Sequence, residues 1–138
     1  MTLLHGSTVA FGREAGIVIL GPSGAGKSTL ALRLIAAGAQ LVADDRTIVM
    51  ASRNRLFARA PRPIAGLIEA RGLGLVRHAP LRLARVRLVV DLAAAAARLP
   101  PETSRDLEGV TLPQLPFAPG DAFPAALRHY VLSLSRKA

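Results

Sequence analysis

An α/β fold is what this sequence predicts, and three features carry the prediction. Ile17-Val18-Ile19-Leu20 is a short β-branched run of the kind that fills a buried strand. A glycine-rich loop follows at once, from Gly21 to Lys27. Lys27 to Ala37 then carries good helix formers, with Leu30, Leu34 and Ile35 on one face and Gly38 where a helix stops. Strand, loop and helix in that order open an α/β layer structure.

The other elements are read in the same way. Leu3 to Phe11 mixes apolar and small polar residues and reads as one strand, followed by a turn over Gly12 to Gly16. Leu41-Val42-Ala43 is the next strand and ends in Asp44-Asp45. Thr47 to Met50 and Leu56 to Ala58 pair as a hairpin across Ser52-Arg53-Asn54-Arg55, after which Pro61 and Pro63 break the pattern. Gly66 to Val76, with Gly72 and Gly74 around Leu73, reads as strand ends and a loop. Val86 to Leu92 is a further strand, and Ala93 to Ala97 is a short helix or a spacer. Pro113 and Pro116 confine their segment to an edge strand or a loop. Phe123, Leu127, Val131 and Leu134 recur at helical spacing, which predicts an amphipathic helix with Pro124 in its first turn. No repeat or linker interrupts the chain, so residues 1–138 are expected to form one domain.

Composition narrows the function classes. With 51% hydrophobic residues the chain is not disordered, and its 138 residues bury a core without staples. The absence of cysteine excludes disulfides and thiolate metal sites. The formal charge of +9 suggests nucleic acid, but the arginines are scattered and aromatics are only 4%, so stacking platforms are poor. The expectation is no nucleic-acid partner, and a basic face suited to an acidic protein or phosphate ligands. Met1 to Ala10 carries no charged segment before an apolar core, and no run approaches the ~20 apolar residues of a membrane span. A cytoplasmic protein with no membrane partner is expected.

Gly21-Pro22-Ser23-Gly24-Ala25-Gly26-Lys27-Ser28 fits G-x-x-x-x-G-K-[ST], with the strand before it and the helix after it that this motif requires. Its glycines let successive backbone N–H groups face one anion, and the helix N-terminus adds its positive end. Lys27 is placed to reach the β- and γ-phosphates of a nucleotide, and Ser28 offers a hydroxyl to Mg²⁺. ATP is preferred over GTP, because neither Lys27 nor Lys137 sits in an Asn-Lys-x-Asp frame. Asp106-Leu107-Glu108-Gly109 imitates a D-x-x-G switch, a weak signal by itself.

Phosphoryl transfer needs a carboxylate for the metal and, for an alcohol acceptor, one for the hydroxyl proton. Asp44-Asp45 closes an apolar strand, and in a parallel sheet that strand end lies beside the phosphate loop. Glu69 is either an outward strand residue or a metal ligand. Asp91 ends Val86-Arg87-Leu88-Val89-Val90 in the Walker-B manner, so Asp45 and Asp91 compete for the metal role and spacing leaves both open. His5, in a strand beside Gly6, is an ordinary structural histidine or an active-site residue, and Arg98 by itself is a surface arginine.

Together these pieces resemble HPr kinase/phosphorylase. The resemblance rests on His5-Gly6, Ser23-Gly24-Ala25-Gly26-Lys27-Ser28, Leu41-Val42-Ala43-Asp44-Asp45 and Glu69-Ala70-Arg71-Gly72-Leu73-Gly74. It implies a P-loop fold with a mixed β-sheet, similar to the nucleotide domain of phosphoenolpyruvate carboxykinase. It also implies that Lys27 holds phosphates, that Ser28 and Glu69 hold Mg²⁺ with support from Asp44, and that Asp45 takes the proton of an acceptor serine. His5 would stand beside the loop, and Arg98, before Leu99, would contact the transferring phosphate, which leaves Asp91 as a strand-end residue. The implied substrates are ATP and HPr, a phosphocarrier protein, and the implied assembly is a hexamer. The chain looks like a short form without the family's N-terminal domain. Where members carry a Pro-Val-Arg-Pro-Gly-Arg-like stretch tied to dephosphorylation, this chain has Pro116-Phe117-Ala118-Pro119-Gly120-Asp121. Attack by phosphate needs cationic partners, so phosphorylase activity is expected to be weak or absent. Two rival readings are a small-molecule P-loop kinase and a nucleotide-sensing module without catalysis.

Overall fold

Alternation along the strands sets the architecture. In a computed structural model, which describes residues 1–93 and 103–136, the elements are β1 (Thr2–Leu4), β2 (Gly6–Ala10), β3 (Gly16–Leu20), α1 (Lys27–Ala36), β4 (Gln40–Ala43), β5 (Thr47–Ser52) and β6 (Arg55–Arg59). They continue with β7 (Leu67–Ala70), β8 (Gly74–Arg77), β9 (Ala84–Asp91), β10 (Thr103–Leu107), β11 (Val110–Pro116) and α2 (Phe123–Ser135). A turn of 3₁₀ helix, Arg62–Ile64, lies where Pro61 and Pro63 break the pattern. Arg98 and the alanine run beyond Ala93 lie outside the described residues.

Nine of these strands form one mixed, curled sheet, seven in the order β1-β5-β6-β9-β3-β2-β4 and two, β11 and β10, branching from β9. β9 pairs along one edge with β3 in parallel. Its other edge is shared. Ala84 to Val86 pair with β6 antiparallel, and Val89 to Asp91 pair with β11 in parallel. β10 then closes on β11. The α/β class is as predicted, with the sheet mixed.

The two faces of the sheet are buried differently. Ile17 and Ile19 of β3 and Leu88 and Val90 of β9 face α1 and α2, through Leu30, Leu34, Leu127 and Val131. Val18, Val86 and Val89 face the other way, onto Val49, Leu56, Val110 and Leu112. Strands and Leu81 of the β8–β9 connection cover that second face, with no helix on it among the described residues. Side chains alternate between faces with period two, yet Val86 and Val89 share a face. An irregularity in the β3–β9 register explains this: Gly16 pairs with Val86 and Ile17 with Leu88, so Arg87 is the extra residue.

One expectation changes at the level of elements, and two others gain detail. Leu3 to Phe11 is not one strand. The chain bends at His5, so β1 pairs with β5 while β2 pairs with β3 and β4. Gly66 to Val76, expected as strand ends and a loop, holds most of an antiparallel hairpin in which β7 and β8 pair across Arg71 to Leu73, with Glu69 opposite Leu75. Asp106-Leu107-Glu108-Gly109 is the turn of the β10–β11 hairpin, with Glu108 at φ 53° and Gly109 at φ 79°, so its likeness to a switch motif is local turn chemistry. Pro113 and Pro116 fit β11 because each lies where one edge only is paired, Pro113 to Ser104 and Pro116 to Asp91.

Candidate active site

Strand direction brings the motifs together. β2 is antiparallel to both β3 and β4 and lies between them, so β3 and β4 run the same way. Their C-terminal ends and the start of β2 therefore share one edge of the sheet. The loop Gly21–Gly26 leaves β3 there, Asp44-Asp45 ends β4 there, and His5 to Ser7 enter β2 there. The sequence reading placed the acidic strand beside the loop in a parallel sheet. The placement is reached with an intervening antiparallel strand instead.

Two glycines are required by this geometry. A Cβ on Gly6 would lie 2.7 Å from the carbonyl oxygen of Ile19, so the entry to β2 passes too close to β3 for any side chain. Gly26 caps α1 in the left-handed region at φ 99°, and the cap makes no side-chain hydrogen bond. The first turn of α1 contains no acidic residue, which leaves its N–H groups and positive end facing the loop.

The polar side chains form a continuous network. Asp44 is 6% exposed, and its carboxylate accepts three hydrogen bonds. Ser7 Oγ and Ser28 Oγ donate to Oδ1 at 2.8 and 2.7 Å, and the Glu69 amide donates to Oδ2 at 3.0 Å. Ser7 Oγ in turn accepts from the Asp45 amide at 3.0 Å. Asp45 sits in the left-handed region at φ 64°, a conformation that Asp tolerates, and its side chain is exposed. Its Oδ1 lies 2.9 Å from His5 Nε2. Lys27 is 5% exposed, and its ammonium donates to the carbonyls of Gly21 and Pro22 at 2.8 and 3.1 Å.

A cavity of about 470 Å³ opens over this network, lined by Ser23, Gly24 and Gly26 to Ser28 on one side and by Asp44, Asp45 and Glu69 on the other. Lys27, Arg46 and Arg71 balance the three carboxylates around it. Both signs in one cleft suit an anionic ligand that carries a cation. Of the residues proposed from sequence, Lys27, Ser28, Asp44, Asp45 and Glu69 line this cavity, and His5 touches it through Asp45. Asp91 is elsewhere. Its carboxylate accepts from Arg105 Nη2 at 3.0 Å and from the Ala93 amide at 2.9 Å, which ties the fork of the sheet together. Ser7 and Arg71 were missed. Ser7 meets Asp44 across 37 residues, beyond any local pattern. Arg71 was visible only as part of the Glu69–Gly74 stretch.

The HPr Serine kinase C-terminal domain family matches residues 1–97. The chain belongs to that family. HPr kinase/phosphorylase of Mycoplasmopsis pulmonis is 46% identical over 74 residues, 53% of this chain and 23% of the relative. That of Geobacillus thermodenitrificans is 40% identical over 100 residues, 66% of this chain and 32% of the relative. The HPr kinase-like chain thus spans a quarter to a third of these relatives' length. The solved structure of the Hpr(Ser) kinase/phosphatase from Coxiella burnetii superposes with a TM-score of 0.82 at 22% identity. It covers 96% of this chain and 98% of that one, and shows the shared fold.

Proposed function

We propose that this domain, as one unit over residues 1–138, transfers the γ-phosphoryl group of ATP to a serine of an HPr-type phosphocarrier protein. The observation that carries the reading is the convergence of Ser28, Asp44, Asp45 and Glu69 at the mouth of the phosphate loop. The donor set fits Mg²⁺. Ser28 Oγ stands 2.7 Å from Asp44 Oδ1, and Glu69 reaches the same cleft. All are hard oxygen donors, and Mg²⁺ takes one or two carboxylates and completes its shell with phosphate and water. Bound there, Mg²⁺ supplies neutralisation of phosphate charge.

The chain's own groups do the rest. The loop amides and Lys27 hold and orient the polyphosphate. Asp45 is the exposed member of the acidic pair and takes the serine hydroxyl proton as the new O–P bond forms and the β–γ bridge breaks. His5 positions Asp45 through the 2.9 Å contact. Asp44 is committed to three donors and orients Ser28. Arg98 would contact the transferring phosphate. The proposal carries a cytoplasmic setting and a homo-oligomer, a hexamer by family analogy, and assigns no nucleic-acid or membrane partner. No described helix is long and apolar enough to cross a membrane.

The test is one assay run in both directions. Label from γ-labelled ATP is expected to appear on a serine of purified HPr with Mg²⁺ present. Serine-phosphorylated HPr incubated with inorganic phosphate is expected to return free HPr and pyrophosphate slowly, because Pro116 to Asp121 offers no arginine. Absence of label on HPr would overturn the kinase assignment, and rapid return would overturn the asymmetry.

A further inference from the structure

Far from the phosphate loop, at the N-terminal end of β9, a second cavity of about 440 Å³ lies between the β5–β6 turn, β9 and the β10–β11 turn. Three guanidinium groups line it: Arg55, Arg85 and Arg87. The side chains of Arg85 and Arg87 are only 18% and 12% exposed. One carboxylate serves both. Glu14 Oε1 lies 3.6 Å from Arg85 Nη1 and 3.4 Å from Arg87 Nη2. Among the described residues Arg55 forms no ion pair. The cluster therefore holds two positive charges more than it neutralises, within a concave space.

Local structure fixes these groups in place. Arg87 is the extra residue of the β9 irregularity. Its Nε donates to the Glu14 carbonyl at 3.0 Å, and its Nη1 to the Leu134 carbonyl at 3.4 Å. Arg85 loses proton affinity through burial first, and then through the nearby charges of Arg87 and Arg55. That repulsion is a cost which a bound anion would relieve. Asn54, Gly109 and Thr111 also line the space. A planar guanidinium pairs bidentately with carboxylate or phosphate.

We propose that this cavity is a binding site for a small multivalent anion, a phosphate ester or a polycarboxylate, held by Arg55, Arg85 and Arg87 and separate from the phosphate loop. Arg85 lies near the start of β9, whereas Leu92, just past its end, donates its amide to the carbonyl of Leu20 at 2.8 Å, where β3 runs into the phosphate loop. The two sites thus sit at opposite ends of one strand.

Backbone amide NMR shifts of the whole chain distinguish the two ends. Titration with inorganic pyrophosphate, and separately with citrate, in phosphate-free buffer is expected to move the Gly109, Val110 and Thr111 amides saturably. Arg55→Gln removes one exposed guanidinium at the cavity's rim and leaves the phosphate loop untouched. It is expected to weaken binding at these amides about tenfold or more, the loss of one charge-assisted contact. Shifts confined to Gly21–Ser28 would overturn the proposal. So would equal affinity in the variant, or displacement of neither anion when the cavity amides respond to an acidic peptide or an oligonucleotide. Because the readout is local, failure here leaves the kinase assignment standing, and failure of HPr labelling leaves this site standing.

Discussion

Asp44 and Asp45 are neighbours in sequence with opposite surroundings. Asp44 is buried and accepts from Ser7, Ser28 and Glu69, whereas Asp45 is exposed and meets His5. A carboxylate with three donors is held to one orientation, which suits positioning. A carboxylate open to the cleft can accept a proton. Asp45→Asn keeps the shape and tolerates the left-handed backbone at φ 64°, so it removes basicity alone. The expected result is a fall in phosphoryl transfer of about 10²- to 10⁴-fold, the range for a lost general base. Mg-nucleotide affinity should stay within about threefold, the scale of a change that leaves the binding contacts intact. Unchanged transfer would show that another group takes the proton, and unchanged output with no transfer in either form would favour a nucleotide sensor. The acidic pair was legible in sequence because an apolar strand ending in two acids stands out. Their separate roles came only through the family resemblance, and the bonds that bury Asp44 were not legible, since Ser7 and Glu69 reach it from 37 and 25 residues away.

Among the elements, the β5–β6 hairpin was readable because two apolar runs flank a polar tetrad. Ser52 pairs with Arg55, and Arg53 and Asn54 occupy the turn at φ 52° and 60°. Two positive values define a type I′ turn, in which Asn-Gly is preferred and arginine is a poor first residue. Arg53→Asn is expected to stabilise the fold by about 0.5 kcal/mol, a fraction of the left-handed penalty. A thermal melt should show a rise of about 1–2 °C, given the usual conversion for a chain of this size. A lower midpoint would mean that the arginine side chain contributes more than its backbone costs. The β7–β8 hairpin was legible only as strand ends and a loop, for the opposite reason. Its strands are four residues each, β8 opens on a glycine, and Leu73 and Leu75 are exposed at 81% and 70%. With an apolar pattern that does not mark a buried face, periodicity has nothing to report. The bend at His5 was hidden because β1 and β2 are one polar-apolar mixture whose partners change midway.

At the scale of the molecule, one sheet separates two apolar clusters, and β9 has side chains in both. The forked edge of β9, which no sequence pattern announces, places strands and no helix on the second face among the described residues. If residues 1–138 form one cooperative unit, denaturation follows a single transition although the clusters do not touch the same side chains. Val131 of α2 and Leu56 of β6 are both fully buried, on opposite faces. Val131→Ala removes two methyl groups' worth of burial, about 1.5–2.5 kcal/mol. Leu56→Ala is expected to cost about 2–5 kcal/mol, the range for a large-to-small change in a core. Urea unfolding of both single variants and the double variant should give additive losses within about 0.5 kcal/mol, as for sites without shared partners. Two separated transitions would show that the faces unfold independently and would end the single-unit reading. Coupling well above that limit would show instead that β9 transmits packing strain from one face to the other, which would also give the anion cavity at its start a mechanical route to the phosphate loop beside its end.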